Sequence, residues 1–219
     1  MQIAIDGPAS AGKSTIAKLI AKNLNFVYCD TGAMYRAVTL LAKNHKIDYG
    51  DVSGILDLMN KHSIKFLNTD KGQDVLLDDV NVSNEIRSEV ITNNVSQVSA
   101  IKEVREQLVE MQRKLANDAN IVMDGRDIGT TVLPDAEVKI FLIASVKVRA
   151  ERRYKENVER GINTSLKILE DEIEARDYKD SHRKISPLKK AEDAIEVDTS
   201  DMSIEQVVNK VSEIVNSKK

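Results

Sequence analysis

The sequence predicts an α/β fold in which a five-stranded parallel sheet carries helices on both faces. Five short apolar runs have the composition of buried strands: IAI at Ile3, FVYC at Phe26, IVM at Ile121, VKIFLI at Val138 and AIEV at Ala194. The stretches between these runs repeat apolar residues at helical spacing, as in segments 16–24 and 101–115. Strands that alternate with amphipathic helices are typical of a parallel sheet covered on both sides.

One region departs from this alternation. The segments 63–68 (SIKFLN) and 74–83 (DVLLDDVNVS) have the composition of short strands separated by turn residues, which predicts a small antiparallel insertion. A chain of 219 residues with 42% hydrophobic content is long enough for one core, or for a core with a smaller lobe. We therefore expect a single folding unit.

The composition argues against several classes of partner. Acidic residues outnumber basic ones 35 to 32, for a net charge of −3, so no global positive field favours nucleic acid or an anionic membrane. The chain opens on MQIAIDG, without a leader pattern, and no apolar stretch is long enough to cross a bilayer. Cys29 is the only cysteine, which fits a reducing compartment. We expect a cytoplasmic protein with no nucleic-acid partner and no membrane partner.

The strongest chemical signal is GPASAGKS at 7–14, which fits the pattern G-x-x-x-x-G-K-[ST] between a predicted strand and an amphipathic helix. Glycines let the backbone N–H groups of such a loop converge on phosphate oxygens at a helix N-terminus. Lys13 would reach the outer phosphates, and the Ser14 hydroxyl would lie where a phosphate-bound Mg²⁺ needs an oxygen ligand. The pattern predicts a site for a nucleoside triphosphate.

Charged residues follow the other predicted strands and should meet at the same edge of the sheet. Asp30 ends the second strand and could hold the hydration shell of the magnesium ion or a nucleobase. The third strand ends in DGRD at 124–127, and the fourth leads into the arginine-rich segment 148–161. That segment, like 174–183, could be an exposed, salt-bridged helix. Beside a phosphate loop, arginines on a mobile helix could instead follow the charge of a transferring phosphoryl group.

Several motifs together resemble the bacterial cytidylate kinases, nucleoside monophosphate kinases with the P-loop NTPase fold. They are IDGPASAGKST at 5–15, DTGAMYRA at 30–37, VSQVSAIKEVRE at 95–106, MDGRDIGT at 123–130, RAERR at 149–153, RDYKDSHR at 176–183 and DTSDMSIEQV at 198–207. The resemblance covers the chain nearly from end to end. It implies transfer of the γ-phosphate of ATP to CMP or dCMP, with Mg²⁺ as the cofactor of ATP. We expect a monomer.

The resemblance also implies a role for each matching residue. ATP would be bound by Gly7, Pro8, Ala9, Ser10, Ala11, Gly12, Lys13, Ser14 and Thr15. The CMP-binding residues would be Thr31, Arg36, Ser96, Arg105, Arg126, Asp127, Arg176, Asp180 and Arg183. Catalysis would depend on Lys13, Arg126, Arg149, Arg152 and Arg153. The metal would be held by Ser14 and, through water, by Asp30.

The resemblance implies a division of the single domain 1–219 into functional parts. The core would comprise 1–36 and 96–219, a monophosphate-binding lobe about 37–95, and a helical lid about 149–163. Ser96, Arg105 and Asp127 would recognise cytosine, whose amino group a carboxylate accepts. Ser10 and Thr31 depart from the glycine and the serine that relatives often have, but both side chains stay small.

Two other functions use the same loop. A GTP-binding switch would be expected to carry an N-K-x-D motif after a strand, and the sequence has none. A kinase for another small acceptor, such as UMP, AMP or a hydroxy acid, is the nearer alternative. A nucleic-acid-binding ATPase is disfavoured by the acidic balance and by an aromatic content of 4%.

Overall fold

The computed structural model describes residues 1–69, 72–159 and 161–218. Its strands are β1 Gln2–Asp6, β2 Val27–Asp30, β3 Ile64–Thr69, β4 Gly72–Leu77, β5 Val80–Asn81, β6 Ile121–Gly125, β7 Val138–Ile143 and β8 Ile195–Asp198. Its α-helices are α1 Lys13–Leu24, α2 Thr31–Asn44, α3 Val52–Lys61, α4 Glu89–Val98, α5 Lys102–Asn117, α6 Val146–Glu159, α7 Leu166–His182 and α8 Ile204–Asn216. A 3₁₀ turn spans Glu85–Arg87 and a π-helical turn spans Ile128–Val132.

The main sheet contains the five strands that the apolar runs predict. Its strand order is β2-β6-β1-β7-β8, and the remaining three strands form a separate sheet in the order β3-β4-β5. The predicted five-stranded parallel sheet with helices and the predicted small antiparallel sheet are both confirmed. Within the described residues, no helix has the length and apolar character needed to cross a membrane.

The chain forms two compact units, of which the first comprises Met1–Asn25 and Val122–Lys219. In this unit β1 pairs in parallel with β7, and β7 pairs in parallel with β8. The strand residues Ile3, Ala4 and Ile5 are fully buried, so their apolar side chains hold β1 in place. The buried strand then ends at Asp6, where the phosphate loop begins.

The second unit comprises Phe26–Ile121. Its β3 and β4 pair antiparallel, with Ile64 opposite Leu77, and β4 pairs antiparallel with β5. Apolar residues of α2 pack with residues of β4 and α4 in one buried cluster, which includes Leu41, Val75 and Ile91. The functional division that the resemblance implies, with a lobe at 37–95 and a lid at 149–163, stays a prediction. Arg160, which that lid would contain, lies outside the described residues.

The core of the second unit contains a buried amide. Gln112 of α5 is fully buried and its Nε2 donates a weak hydrogen bond to Sδ of Met34 at 3.5 Å. In the part of the chain that the structure describes, its Oε1 has no hydrogen-bond partner. A buried acceptor without a donor costs about 1–3 kcal/mol. The amide therefore lowers the stability of this core.

We expect the Gln112→Met variant to unfold with a free energy about 1 kcal/mol higher than the wild type, because an apolar side chain of similar length removes that cost. The Gln112→Glu variant should be several kcal/mol less stable, since it places a carboxyl in the same apolar site. Urea denaturation of both variants measures these changes. A methionine variant clearly less stable than the wild type would contradict this account.

Candidate active site

The predicted phosphate loop connects β1 to α1 in the first unit. Gly7 has a φ of +148°, and a Cβ at this position would lie 2.1 Å from the carbonyl oxygen of Leu142, so only glycine fits. Gly12, at φ +87°, caps the N-terminus of α1. Ser10 also has a positive φ, 59°, which is unusual for a residue with a side chain. The loop therefore has the curved backbone that an anion-binding turn requires.

Lys13, the first residue of α1, lies within this loop. Its Nζ donates a hydrogen bond to the carbonyl oxygen of Pro8 at 2.7 Å, and its side chain is buried. Burial lowers the pKa of Lys13 well below its usual value, and the neighbouring Arg126 and Arg176 lower it further. Asp124 and Asp6 act in the opposite direction. A polyphosphate in the loop would supply the negative charge that this ammonium group needs.

Ser14 contacts a carboxylate from the end of β6. Its Oγ donates a hydrogen bond to Oδ2 of Asp124 at 2.7 Å, and Asp124 is buried. A hydroxyl and a carboxylate oxygen are the hard ligands that Mg²⁺ prefers. No cluster of three or more His, Cys, Asp or Glu side chains suited to a metal occurs in 1–69, 72–159 and 161–218. Ser14 and Asp124 thus place a hydroxyl and a carboxylate at the start of α1, where a phosphate-bound magnesium ion would need oxygen ligands.

Asp6 connects the end of β1 to the turn that follows β6. Its two carboxylate oxygens accept hydrogen bonds from the backbone N–H groups of Ile128 and Gly129, both at 2.8 Å. These two residues come directly after Arg126 and Asp127, which the sequence predicts to bind the acceptor nucleotide. The bidentate contact fixes the backbone at this turn, because both acceptor oxygens are buried and used.

Asp6 should make stability depend on pH. Burial raises the pKa of its carboxyl from 3.8 to about 6, although the two backbone N–H groups lower it. Between these values the folded protein binds more protons than the unfolded chain, so the Asp6 contribution to stability falls as pH rises towards about 6. The shift corresponds to about 3 kcal/mol.

We therefore expect the unfolding free energy of the wild type to fall by up to about 3 kcal/mol relative to Asp6→Asn between pH about 4 and pH about 6. Above pH about 7 the difference between the two proteins should be constant. Urea denaturation at several pH values measures this difference. A difference that does not change with pH would contradict the assignment of a buried, ionising carboxyl to Asp6.

Arginines and aspartates from the β6 turn and from α7 form a partly buried ion-pair network. Nε of Arg126 donates to Oδ2 of Asp180 at 3.0 Å, and Nε of Arg176 lies 3.9 Å from the same oxygen. Burial would raise the pKa of Asp180, but Arg126, Arg176 and Arg183 lower it below its usual value. Burial and the charge of Arg126 lower the pKa of Arg176 to about 10. The network therefore has two guanidinium groups around one carboxylate in a partly buried position, which favours an anionic ligand.

A second pair joins the same two elements. Nη2 of Arg183 donates to Oδ1 of Asp127 at 3.2 Å, and both side chains are almost fully buried. Nε of Arg183 donates to the carbonyl oxygen of Ser186 at 2.6 Å. The structure thus brings together five residues that the sequence predicts for CMP binding: Arg126, Asp127, Arg176, Asp180 and Arg183.

The three arginines of the predicted lid lie on α6 and contact different partners. Arg149 is buried and donates to carbonyl and carboxylate oxygens, whereas Arg152 donates to Thr199 through Nη1 at 3.0 Å and Nη2 at 2.6 Å. Nη2 of Arg153 donates to Oγ of Ser10 at 2.9 Å. Arg149 is buried, and Arg152 and Arg153 are partly buried. Contacts within the first unit therefore hold all three side chains.

The remaining predicted site residues belong to the second unit. Arg36 donates through Nη1 to the carbonyl oxygen of Ile86 at 3.0 Å and to Oγ1 of Thr92 at 2.9 Å. Arg105 is buried, with its guanidinium 5.1 Å from the ring centroid of Tyr35, and its Nη1 donates to the carbonyl oxygen of Ser99 at 3.0 Å. These hydrogen bonds hold the two guanidinium groups in defined positions within the second unit.

The other three candidates in this unit lie at helix ends or on a helix. Asp30 accepts a hydrogen bond from the backbone N–H of Ala33 at 3.0 Å and so caps α2. Thr31 is the buried first residue of that helix, and Ser96 lies on α4. One carboxylate oxygen of Asp30 thus serves as the N-cap of α2. The role of Asp30 in holding a metal through water stays a prediction.

A family model of cytidylate kinase matches residues 3–217 of this chain. The chain belongs to the cytidylate kinase family. It is 61% identical over 218 residues to a cytidylate kinase of Lactobacillus gasseri, covering 100% of this chain and 95% of the relative. It is 58% identical to the cytidylate kinase of Leuconostoc mesenteroides, covering 99% and 96% of the two chains. The resemblance predicted from the motifs is confirmed.

Solved structures show a more distant likeness in fold. A shikimate kinase from Bacteroides thetaiotaomicron aligns with a TM-score of 0.50 at 15% identity, covering 99% of this chain and 98% of its own. An uncharacterised protein from Eubacterium ventriosum aligns with a TM-score of 0.54 at 13% identity, with coverage of 99% and 98%. The first of these shows that the chain shares the fold of a small P-loop kinase.

Three acidic residues at this cytidylate kinase site have contacts that the sequence motifs did not predict: Asp6, Asp124 and Asp177. From the sequence we expect Asp124 to brace the turn after its strand, and the motifs give the other two no individual role. A signal was present for Asp6 and Asp124, because each ends a buried apolar run. No comparable signal exists for Asp177, which lies among other charges on a helix and whose partners are distant in sequence.

Proposed function

We propose that this chain transfers the γ-phosphate of ATP to CMP or dCMP, giving ADP and CDP or dCDP in pyrimidine nucleotide metabolism. The observation that carries the proposal is the match to the cytidylate kinase family over residues 3–217, with relatives about 60% identical along the whole chain. An enzyme of this kind is an ATP-dependent phosphotransferase.

The phosphate loop would hold ATP, with residues 7–15 around the phosphates and Lys13 on their outer oxygens. The buried ammonium of Lys13 and the N-terminus of α1 supply positive charge at the same place. Magnesium bound to ATP would neutralise part of the charge of the phosphates. Ser14 would supply an oxygen ligand, and Asp124, hydrogen-bonded to Ser14, would orient that hydroxyl. A water-mediated contribution of Asp30 remains part of the proposal.

Cationic side chains would stabilise the transferring phosphoryl group. In the transition state, negative charge spreads over the three equatorial oxygens, and planar guanidinium groups can contact several of them. Arg126 forms a partly buried ion pair with Asp180, and Arg149 and Arg153 contact the loop at Ala9 and Ser10. We assign the stabilising role to Lys13, Arg126, Arg149, Arg152 and Arg153.

We assign the acceptor-binding roles to the residues for which the resemblance to the family implies them. In the first unit, Asp127 and Arg183 would contact the base, Arg176 and Asp180 the ribose, and Arg126 the phosphate. In the second unit, Thr31 and Arg36 would contact the phosphate, and Ser96 and Arg105 the base. The ionised phosphate of CMP is already a nucleophile, so no general base is required and catalysis reduces to alignment and charge stabilisation.

A panel of acceptors tests this proposal. We expect a coupled assay for ADP with Mg-ATP to give the highest kcat/KM for CMP and dCMP, and much lower values for UMP, AMP and shikimate. A higher value for UMP or AMP would move the assignment to the nearer alternative, another acceptor kinase. Guanine-nucleotide binding without phosphoryl transfer would favour a GTP-binding switch. The expected cytoplasmic location and monomeric state stay predictions.

A further inference from the structure

Ala9 of the phosphate loop has both of its backbone polar groups bound by one ion pair. Its N–H donates to Oδ1 of Asp177 at 3.2 Å, and its carbonyl oxygen accepts from Nη1 of Arg149 at 3.0 Å. The pair itself is closed by a hydrogen bond from Nη1 of Arg149 to Oδ2 of Asp177 at 2.5 Å. The loop is therefore held from outside by a carboxylate of α7 and a guanidinium of α6.

Arg149 is fixed by these contacts and by one more. Its Nε donates to the carbonyl oxygen of Ala144 at 2.9 Å, just after β7, and only 5% of the residue is exposed. Within 1–69, 72–159 and 161–218 the structure records no acceptor for its Nη2. Nη2 is consequently the guanidinium nitrogen left for another acceptor, and the hydrogen bonds of Nε and Nη1 set its direction.

The two helices that supply the pair are packed against each other. Ala150 of α6 forms a buried cluster with Leu169 and Ile173 of α7, and Val146 packs against this cluster. Ile173 lies one helical turn before Asp177, so the apolar contact places the carboxylate at a defined position. The position of the ion pair is thus determined by core packing as well as by its own hydrogen bonds.

An acidic group beside an anion-binding loop needs an explanation. An unpaired carboxylate near the phosphates of ATP would oppose binding, because like charges repel most strongly where water is excluded. Arg149 neutralises this charge. The N–H of Ala9 donates its hydrogen bond to Asp177, so this group shapes the loop and does not bind phosphate. An ion pair that binds both backbone groups of Ala9 is what we expect if its function is to shape the loop.

We propose that Asp177 is a positioning residue for phosphoryl transfer: with Arg149 it fixes the phosphate loop at Ala9 and directs the remaining guanidinium nitrogen towards the phosphates of ATP. This inference rests on the proposed function for the identity of the nucleotide. Asp177 contacts no reacting atom and acts through Arg149 and the loop.

The first test compares Asp177→Asn with Asp171→Asn, a matched control on the same helix whose carboxylate makes an exposed ion pair with Lys167. Asparagine keeps the shape of the side chain but removes the charge and one acceptor oxygen. We expect the Asp177 variant to bind ATP about 10-fold more weakly by calorimetry and to lose about 10- to 100-fold in kcat, with KM for CMP changed less than about 2-fold. The control should match the wild type in all three values.

The second test places the same substitution in an Arg149→Met background. Without Arg149, Asp177 loses its hydrogen-bonded counter-charge beside the loop, so Asp177→Asn should now strengthen ATP binding and not weaken it. A role in folding alone would not reverse sign. If Asp177→Asn fails to fold, Asp177→Glu, which keeps both oxygens and the charge, should bind ATP more tightly than Asp177→Ala.

The proposal is overturned if Asp177→Asn binds ATP as tightly as the wild type or more tightly, since the carboxylate would then be dispensable or a competitor of phosphate. It is also overturned if the two substitutions combine additively. ATP binding is measured without CMP, so the outcome is independent of the acceptor. A wild type that binds ATP but phosphorylates neither CMP nor dCMP would refute the proposed function and leave this test intact.

Discussion

The Asp127→Asn variant should lose the preference for CMP over UMP. We expect kcat/KM for CMP to fall about 100-fold and kcat/KM for UMP to stay constant or rise, so that the ratio of the two falls by at least about 100-fold. Steady-state kinetics with both acceptors at saturating Mg-ATP measures this ratio.

The reason lies in the hydrogen-bonding edges of the two bases. Cytosine presents an amino group that a carboxylate accepts, whereas uracil presents a carbonyl oxygen at the same position. A carboxylate opposite that oxygen leaves two acceptors facing each other in a buried site, which costs several kcal/mol. Asparagine can turn its amide to donate to uracil. Asp127 is almost fully buried and its partner Arg183 holds it at 3.2 Å, so water cannot easily relieve the mismatch.

Asp135→Asn is the matched control, because Asp135 is exposed and lies in the same unit, eight positions further along the chain. Its CMP to UMP ratio should equal that of the wild type. If Asp127→Asn leaves the ratio unchanged while activity stays measurable, Asp127 does not read the base, and base recognition must depend on Ser96 or Arg105.

The Lys13→Met variant should lose catalytic activity without losing stability in the absence of ligand. We expect kcat/KM for ATP to fall about 1,000-fold, because one preorganised cation at the transferring group is lost. The ligand-free variant should be at least as stable as the wild type. Burial and the charges of Arg126 and Arg176 lower the pKa of Lys13, so the folded protein gains nothing from this ammonium in the absence of an anion.

Thermal unfolding with and without Mg-ATP measures the second part of this prediction. A ligand at 100 times its Kd stabilises a protein by about 2.7 kcal/mol, and the wild type should show the corresponding rise in Tm. The rise should be much smaller for Lys13→Met at the same ATP concentration. Lys22→Met, at an exposed position on the same helix, should keep the full rise and full activity. An undiminished ATP-dependent rise in Lys13→Met would contradict a role for Lys13 in phosphate binding.

The sequence predicts the strands of the main sheet well, because each is a short apolar run that ends in a charged or glycine-bearing turn. VKIFLI, for example, becomes β7 with its predicted limits, and the phosphate loop falls between β1 and α1 as the motif requires. The small antiparallel sheet was also predictable, since its strands alternate with turn residues. In each case the signal is local, within about ten residues.

The pairing of charged side chains is not local and could not be predicted from spacing. Arg126 pairs with Asp180, and Asp127 with Arg183, across more than fifty residues in each case. The arginines of α6 illustrate the same point. Helical spacing alone cannot distinguish the buried Arg149, held by three acceptors, from an arginine of an exposed, mobile lid. The choice of partner depends on how β6, α6 and α7 pack in the first unit.

The most direct test of the central claim is a competition in one reaction. Wild-type protein is given γ-labelled ATP, Mg²⁺ and equal concentrations of CMP, dCMP, UMP and AMP, and the labelled diphosphates are separated and counted early in the reaction. The label ratios equal the ratios of kcat/KM. We predict that nearly all of the label appears in CDP and dCDP. Label mainly in UDP or ADP, or label only in inorganic phosphate, would contradict the assignment of this chain as a CMP and dCMP kinase.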